Sequence, residues 1–211
     1  MRLAPVKAPF LPLAPAGYNK PQQDQFANAL RLYFNQVDTA VGAVIGKFGG
    51  QYIDRPNGLF FSTTDQTGAL TAAAINFENT YLNNGVKVNA GTESRIYVEV
   101  GGVYNFQFSG QVFSSDASAK QVYIWIVRNG TPIGYSTHQY TVSGSNTHIE
   151  ISWNFNIDLQ AGDYMEFEWA VSATPVTLES TAATAPHPGI PSAVVAVAYV
   201  APLPDSLPTP P

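Results

Sequence analysis

Between residues 75 and 200 apolar and polar residues alternate with a period of two, and no helical stretch interrupts the pattern. Successive side chains of a strand point to opposite faces, so this period describes strands buried on at least one side. It predicts strands over 59–62, 74–81, 95–100, 103–113, 121–128, 133–140, 148–159, 163–171 and 193–200, separated by turn-rich segments. Between two of these runs lies Asn129-Gly130, whose residues both tolerate positive φ, and this is the strongest hairpin signal in the chain. A strand series without crossover helices implies an all-β fold, an antiparallel jelly-roll sandwich rather than a parallel sheet.

The parity of each strand sorts its faces. In 148–159, Ile149, Ile151, Trp153, Phe155 and Ile157 point one way, while Glu150, Ser152, Asn154 and Asn156 point the other, which gives one wet face. In 121–127, by contrast, Val122, Ile124 and Ile126 oppose Tyr123, Trp125 and Val127, and in 193–200 both parities are Val, Ala and Tyr. A strand apolar on both sides must be covered twice, once by its own core and once by something else. Tyr123, Trp125, Val195, Val197 and Tyr199 are therefore candidates for a contact with further copies of the chain.

Upstream the period changes. Over 22–44, Phe26, Leu30, Tyr33, Val37, Ala40 and Val44 step by 4, 3, 4, 3 and 4, the spacing of a coiled-coil seam, and Phe34, Val41 and Ile45 widen the stripe. Pro21 suits the first turn, Asp24 the amino end, and Gly49 and Gly50 a stop. Such a helix packs either on its own domain or in a three-helix bundle. With Asp24, Arg31 and Asp38 as its few charges it lacks a solvated face, which favours the bundle and makes Phe26, Leu30, Tyr33 and Val37 candidate contacts.

Before the helix, Pro5, Pro9, Pro12 and Pro15 space out Leu3, Val6, Phe10, Leu11 and Leu13, which favours an extended arm too apolar for a plain linker. Those five apolar residues are candidates for attachment to a neighbouring protein. The expected organisation is an extended proline-rich attachment arm over 1–21, an amphipathic helix over 22–50, a jelly-roll domain over 51–201 and a proline-rich tail over 202–211.

Composition sharpens this picture. With 211 residues, 45% of them hydrophobic, the chain can build a substantial core, yet charged residues are only 12% of it, against about 25% in a usual soluble domain. Much of the surface is expected to be covered by something other than water. The net charge is −5 and no segment clusters Lys and Arg, so neither nucleic acid nor an anionic membrane is an expected partner. There is no cysteine, and hence no disulfide and no thiolate ligand. No apolar run approaches the ~18 residues of a membrane span, and prolines break the region where a signal peptide would need its apolar stretch, so no secretion signal is expected.

Four segments carry a resemblance. GGVYNFQFSGQVF (101–113), QVYIWIVRNGTPI (121–133), LQAGDYMEFEW (159–169) and SAVVAVAYV (192–200) occur in the order seen in the trimeric jelly roll of the complement globular-head and tumour necrosis factor superfamily, which the 75–200 region resembles. The resemblance implies a bell-shaped homotrimer whose inner sheets meet along a threefold axis. No collagen Gly-X-Y repeat precedes the domain, which argues against an animal defence-type molecule. Instead, YNKPQQDQFANALRLYFNQVD (18–38) resembles an amino-terminal segment of small virion structural proteins of short-tailed cyanobacterial and marine phages. Together the two likenesses imply a virion protein, a homotrimeric capsid decoration, cement or head-fibre protein whose partners are the major capsid protein or tail components. The alternative is a tail-fibre or receptor-binding knob that recognises host glycan.

Catalytic chemistry has few candidates. His138, His148 and His187 fall on different elements with no metal-binding spacing, and no G-x-S-x-G elbow occurs. Glu166 and Glu168 share one face of a strand, as paired glycosidase carboxylates would, but alternating polar residues are what any half-exposed strand shows. Trp125 has the best chance of lying at a contact, since Trp153 and Trp169 share parity with aliphatic neighbours. No catalytic residue, metal ligand or cofactor is expected, and the protein is not expected to be an enzyme.

Overall fold

The computed structural model describes residues 9–11, 17, 19–45 and 55–203. The chain divides into two compact units, 1–54 and 55–211. Of the expected attachment residues, Leu3, Val6 and Leu13 lie outside the described residues, as do Gly49 and Gly50.

In the first unit the helix α1 (Lys20–Ile45) begins two residues before the expected range. Asn19 caps it: its side-chain carbonyl accepts the Gln22 N–H at 3.4 Å, satisfying a donor that the first turn leaves free. No described side chain of α1 is buried. Phe26, Leu32, Phe34 and Val41 are exposed, Phe34 to 57%, and Leu30, Tyr33 and Val37 are half-buried. No helix among the described residues is long and apolar enough to cross a membrane.

The second unit is a sandwich. Its described strands are β1 (Asn57–Ser62), β2 (Gln66–Thr67), β3 (Ala73–Ala74), β4 (Asn79–Asn84), β5 (Val86–Asn89), β6 (Thr92–Val98), β7 (Gly102–Ser114), β8 (Lys120–Arg128), β9 (Thr131–Pro132), β10 (His138–Val142), β11 (Thr147–Leu159), β12 (Tyr164–Val171), β13 (Val176–Leu178) and β14 (Ala193–Ala201). One sheet runs β4, β1, β14, β7, β11, and the other β5, β6, β12, β8, β10, with the short strands added at their margins and every pair antiparallel. Among the eight strands β1, β6, β7, β8, β10, β11, β12 and β14, the first sheet orders them first, eighth, third, sixth, and the second sheet second, seventh, fourth, fifth. That interleaving is the jelly roll.

The core lies between the sheets. Strand alternation aims Tyr104, Phe106, Phe108 and Val112 of β7 at Met165, Phe167 and Trp169 of β12, with Phe108 stacked on Phe167 at 4.6 Å between ring centroids. Each such side chain removed from water contributes about 1.5–3 kcal/mol. The phenol of Tyr104 is sealed in as well, and it donates to the Val100 carbonyl at 2.6 Å. Burial first, and then the neighbouring Tyr199, push its pKa up to about 12. Gly102 is required here, because any side chain on it would overlap the Tyr199 ring.

Two expected strands are corrected. Residues 74–81 split into β3 on one sheet and β4 on the other. Between them Ile75 and Phe77 plunge fully into the core, while their N–H groups donate to the Phe167 and Glu93 carbonyls at 2.8 and 2.9 Å. The alternation was real, but it belongs to a crossing between sheets. Residues 133–137 turn before β10, held by the Ser136 hydroxyl, which donates to the Ile133 carbonyl at 2.8 Å and accepts the Ile126 N–H at 3.2 Å. The Asn129-Gly130 hairpin forms with φ of 50° and 77°.

Candidate functional site

Strand β14 sits between β1 and β7, so both of its edges are hydrogen-bonded and only its two faces vary. One parity, Ala193, Val195 and Val197, belongs to the core, with Val195 0% and Val197 2% exposed. The assignment of Val195 and Val197 to a subunit contact is therefore corrected, because the chain's own sandwich already covers them. The opposite parity, Val194, Ala196, Ala198 and Val200, emerges on the outer face, and Val200 is half exposed. The strand is apolar on both sides, as its sequence indicates, with the two sides in the reverse roles. Tyr199 packs edge-on against Tyr104 at 5.5 Å on the core side.

Around that strip the outer face changes character. Toward β7 and β11 it becomes an amide patch: the Asn105 side-chain NH2 donates to Asn154 Oδ1 and Asn156 Oδ1, both at 2.9 Å, and Asn154 donates back at 3.2 Å. Toward β1 and β4 it becomes a groove of about 590 Å³ floored by Leu59, Phe61 and Val194 and flanked by Tyr81. Residues 181–190 form the far wall, a small hairpin closed by reciprocal Thr181 and Ile190 backbone bonds at 2.9 and 2.8 Å, and every one of these ten residues is exposed. Ser180 anchors its base, donating from its hydroxyl to the Thr63 carbonyl at 2.9 Å and from its N–H to Asp65 at 2.7 Å. All twelve lining residues are uncharged.

Tyr123 and Trp125 stand on the outer face of the other sheet, half-buried, so they are not brought together with the β14 strip. There the Trp125 indole N–H donates to Glu168 Oε2 at 3.0 Å. Glu166, only 8% exposed, accepts from the Ser94 hydroxyl at 2.7 Å and from Arg95 Nε at 3.3 Å, with the Arg95 guanidinium lying 4.7 Å from the Tyr164 ring centroid. Both carboxylates thus have structural partners. His138 stacks on Trp153 at 4.5 Å, His148 lies 3.3 Å from Glu179, and His187 is exposed in the 181–190 hairpin. Among the described residues no group of three or more such side chains could hold a metal ion. In the arm, Phe10 is 95% exposed and Leu11 37%.

One carboxylate fixes the turn beside the groove. Glu78 Oε1 accepts from the Thr63 N–H at 2.6 Å, the Thr64 hydroxyl at 3.1 Å and the Ser62 hydroxyl at 3.2 Å. Burial raises its pKa, but bonds from its own and the Thr63 N–H groups and from the two hydroxyls outweigh that and hold it below 4.5. Its contribution to stability is present above the unfolded value and is lost as pH falls through the depressed one. Asp116, held at about 2 chiefly by hydrogen bonding from Lys120, acts in the same direction between pH 3.8 and about 2. Glu78→Gln should therefore cost about 1 kcal/mol at pH 6 and less at pH 3, read from thermal melts at the two pH values. An equal loss at both would show that the charge of Glu78 does not matter.

No family model matches the chain. A search of curated proteins likewise finds no match. Among solved structures, the globular domain of a zebrafish complement 1qA protein is similar at 12% identity and a TM-score of 0.48, over 71% of this chain and 99% of that one. The jelly-roll assignment stands on the strand order of this chain itself.

Proposed function

We propose that the protein is a non-catalytic homotrimeric structural component of a phage particle, a capsid decoration, cement or short head-fibre protein with its N-terminal unit at the attachment end and its jelly roll as the exposed knob. The observation that carries this reading is β14, buried on one face by its own core and still lined by Val194, Ala196, Ala198 and Val200 on the other. An apolar strip continuous with uncharged neighbours fits a sister chain better than water. The exposed apolar residues of α1 supply a second seam of the same kind. The likeness of residues 18–38 to phage virion proteins, with the low charge content, supports placing the assembly in a particle.

Two measurements test it. In dilute buffer the purified protein should sediment as a trimer, and a stable solitary chain would overturn the assembly. Immunogold labelling of native particles should decorate many positions on the capsid. Label confined to the tail would replace the capsid role with that of a receptor-binding knob.

A further inference from the structure

We propose that the outer face of the second sheet, around Trp125, binds a neutral carbohydrate chain by stacking its sugar rings on aromatic side chains. This adds a ligand to the knob described above and does not depend on the β14 contact, which lies on the other sheet. Tyr123 and Trp125 of β8, Tyr164 of β12 and Tyr97 of β6 stand at outer-face positions of three adjacent strands, and all four are half-buried. Along β8 the two rings rise about 7 Å apart, since each residue of a strand advances about 3.4 Å.

The rings are fixed before any ligand arrives. The Trp125 indole N–H donates to Glu168 Oε2 at 3.0 Å. Tyr164 lies 5.3 Å from Tyr97 between centroids and 4.7 Å from the Arg95 guanidinium, which Glu166 in turn holds at 3.3 Å. Such a surface loses little side-chain freedom on binding. Register places Ala170 beside Tyr123 and Ala74 beyond Glu168, so small side chains border the aromatic pair.

Charge and topology select the class of ligand. β8 and β12 are paired along both edges, so an extended peptide cannot join them by strand addition, and recognition falls to side chains. A carboxylate beside Trp125 on a chain of net charge −5 repels nucleic acid and acidic polysaccharides. A neutral pyranose suits the same surface. Its apolar C–H face meets the negative face of an aromatic ring, while its hydroxyls at the rim need charged partners. Arg95 supplies a donor, and Glu168, which gives only Oε2 to the indole, keeps Oε1 as an acceptor.

Native electrophoresis of the full-length protein through gels containing dextran, hydroxyethyl cellulose, galactomannan or alginate tests this. At least one of the three neutral polymers should retard the protein, and acidic alginate should not. Trp125→Ala should weaken that retardation about tenfold, and Tyr123→Ala should weaken it as well. Tyr81→Ala, which removes an exposed tyrosine from the first sheet, should leave it unchanged. Thermal melts check that each variant folds, and if Trp125→Ala does not, Tyr123→Ala decides. Three results overturn the proposal: no retardation by any neutral polymer, stronger retardation by alginate, or unchanged retardation of the folded face variants.

Discussion

Val197→Asp should abolish folding. Val197 is 2% exposed in the middle of β14, in register with Phe106, and no cation belongs to the core cluster around it. A carboxylate there either stays ionised without a partner or takes up a proton, and either course costs several kcal/mol. Loss of the packed valine adds about 2 kcal/mol. The total is comparable to the whole stability of a domain, about 5–15 kcal/mol. The expected result is loss of the cooperative thermal transition and of the sheet signal in circular dichroism, while Val197→Ala lowers stability by about 2 kcal/mol and leaves the fold in place. A Val197→Asp protein that melts cooperatively near the native temperature would place this side chain outside the core.

The location of Val197 also shows what can and cannot be read from the residues alone. Strands with one polar face announce their orientation: 148–159 alternates Ile, Trp and Phe with Glu, Ser and Asn, and β11 follows that division along its length. The Asn129-Gly130 turn and the long β7 and β8 strands were equally legible, since each depends on neighbours in sequence. For β14 the period exists but has no sign, because Ala and Val occupy both parities. Only the packing of Phe106 and Phe167 across the sandwich decides that Val195 and Val197 face inward. The same gap placed Tyr123 and Trp125 with the β14 residues as one contact, although they lie on different sheets. The amide cluster of Asn105, Asn154 and Asn156 left no local signal at all. It depends on a register that brings Asn105 opposite Asn156 across 51 positions of chain. The groove wall at 181–190 likewise read only as a turn-rich gap between strands, because its meaning depends on Leu59, Phe61 and Tyr81 far away in sequence.

Ala196→Glu should separate assembly from folding. Ala196 precedes Val197 by one residue and so emerges on the opposite face, within the outer strip of β14. In an isolated subunit its new carboxylate meets water, so the melting temperature should fall by no more than a few degrees, as for a surface substitution of ~0.5 kcal/mol. In a trimer joined through this face each subunit would bury an unpaired charge near two like charges, at several kcal/mol in total. Association should therefore weaken at least about 100-fold, and sedimentation at micromolar concentration should show folded single chains. Glu at position 123, on the outer face of the other sheet, supplies the comparison: Tyr123→Glu should leave the trimer intact. A trimeric Ala196→Glu protein would remove the β14 face from the contact, and dissociation by Tyr123→Glu alone would move the contact to the other sheet. Because Ala196 and Val197 are neighbours in one strand and face opposite sides of the sheet, a folded single chain from Ala196→Glu and an unfolded one from Val197→Asp would report what lies on each side.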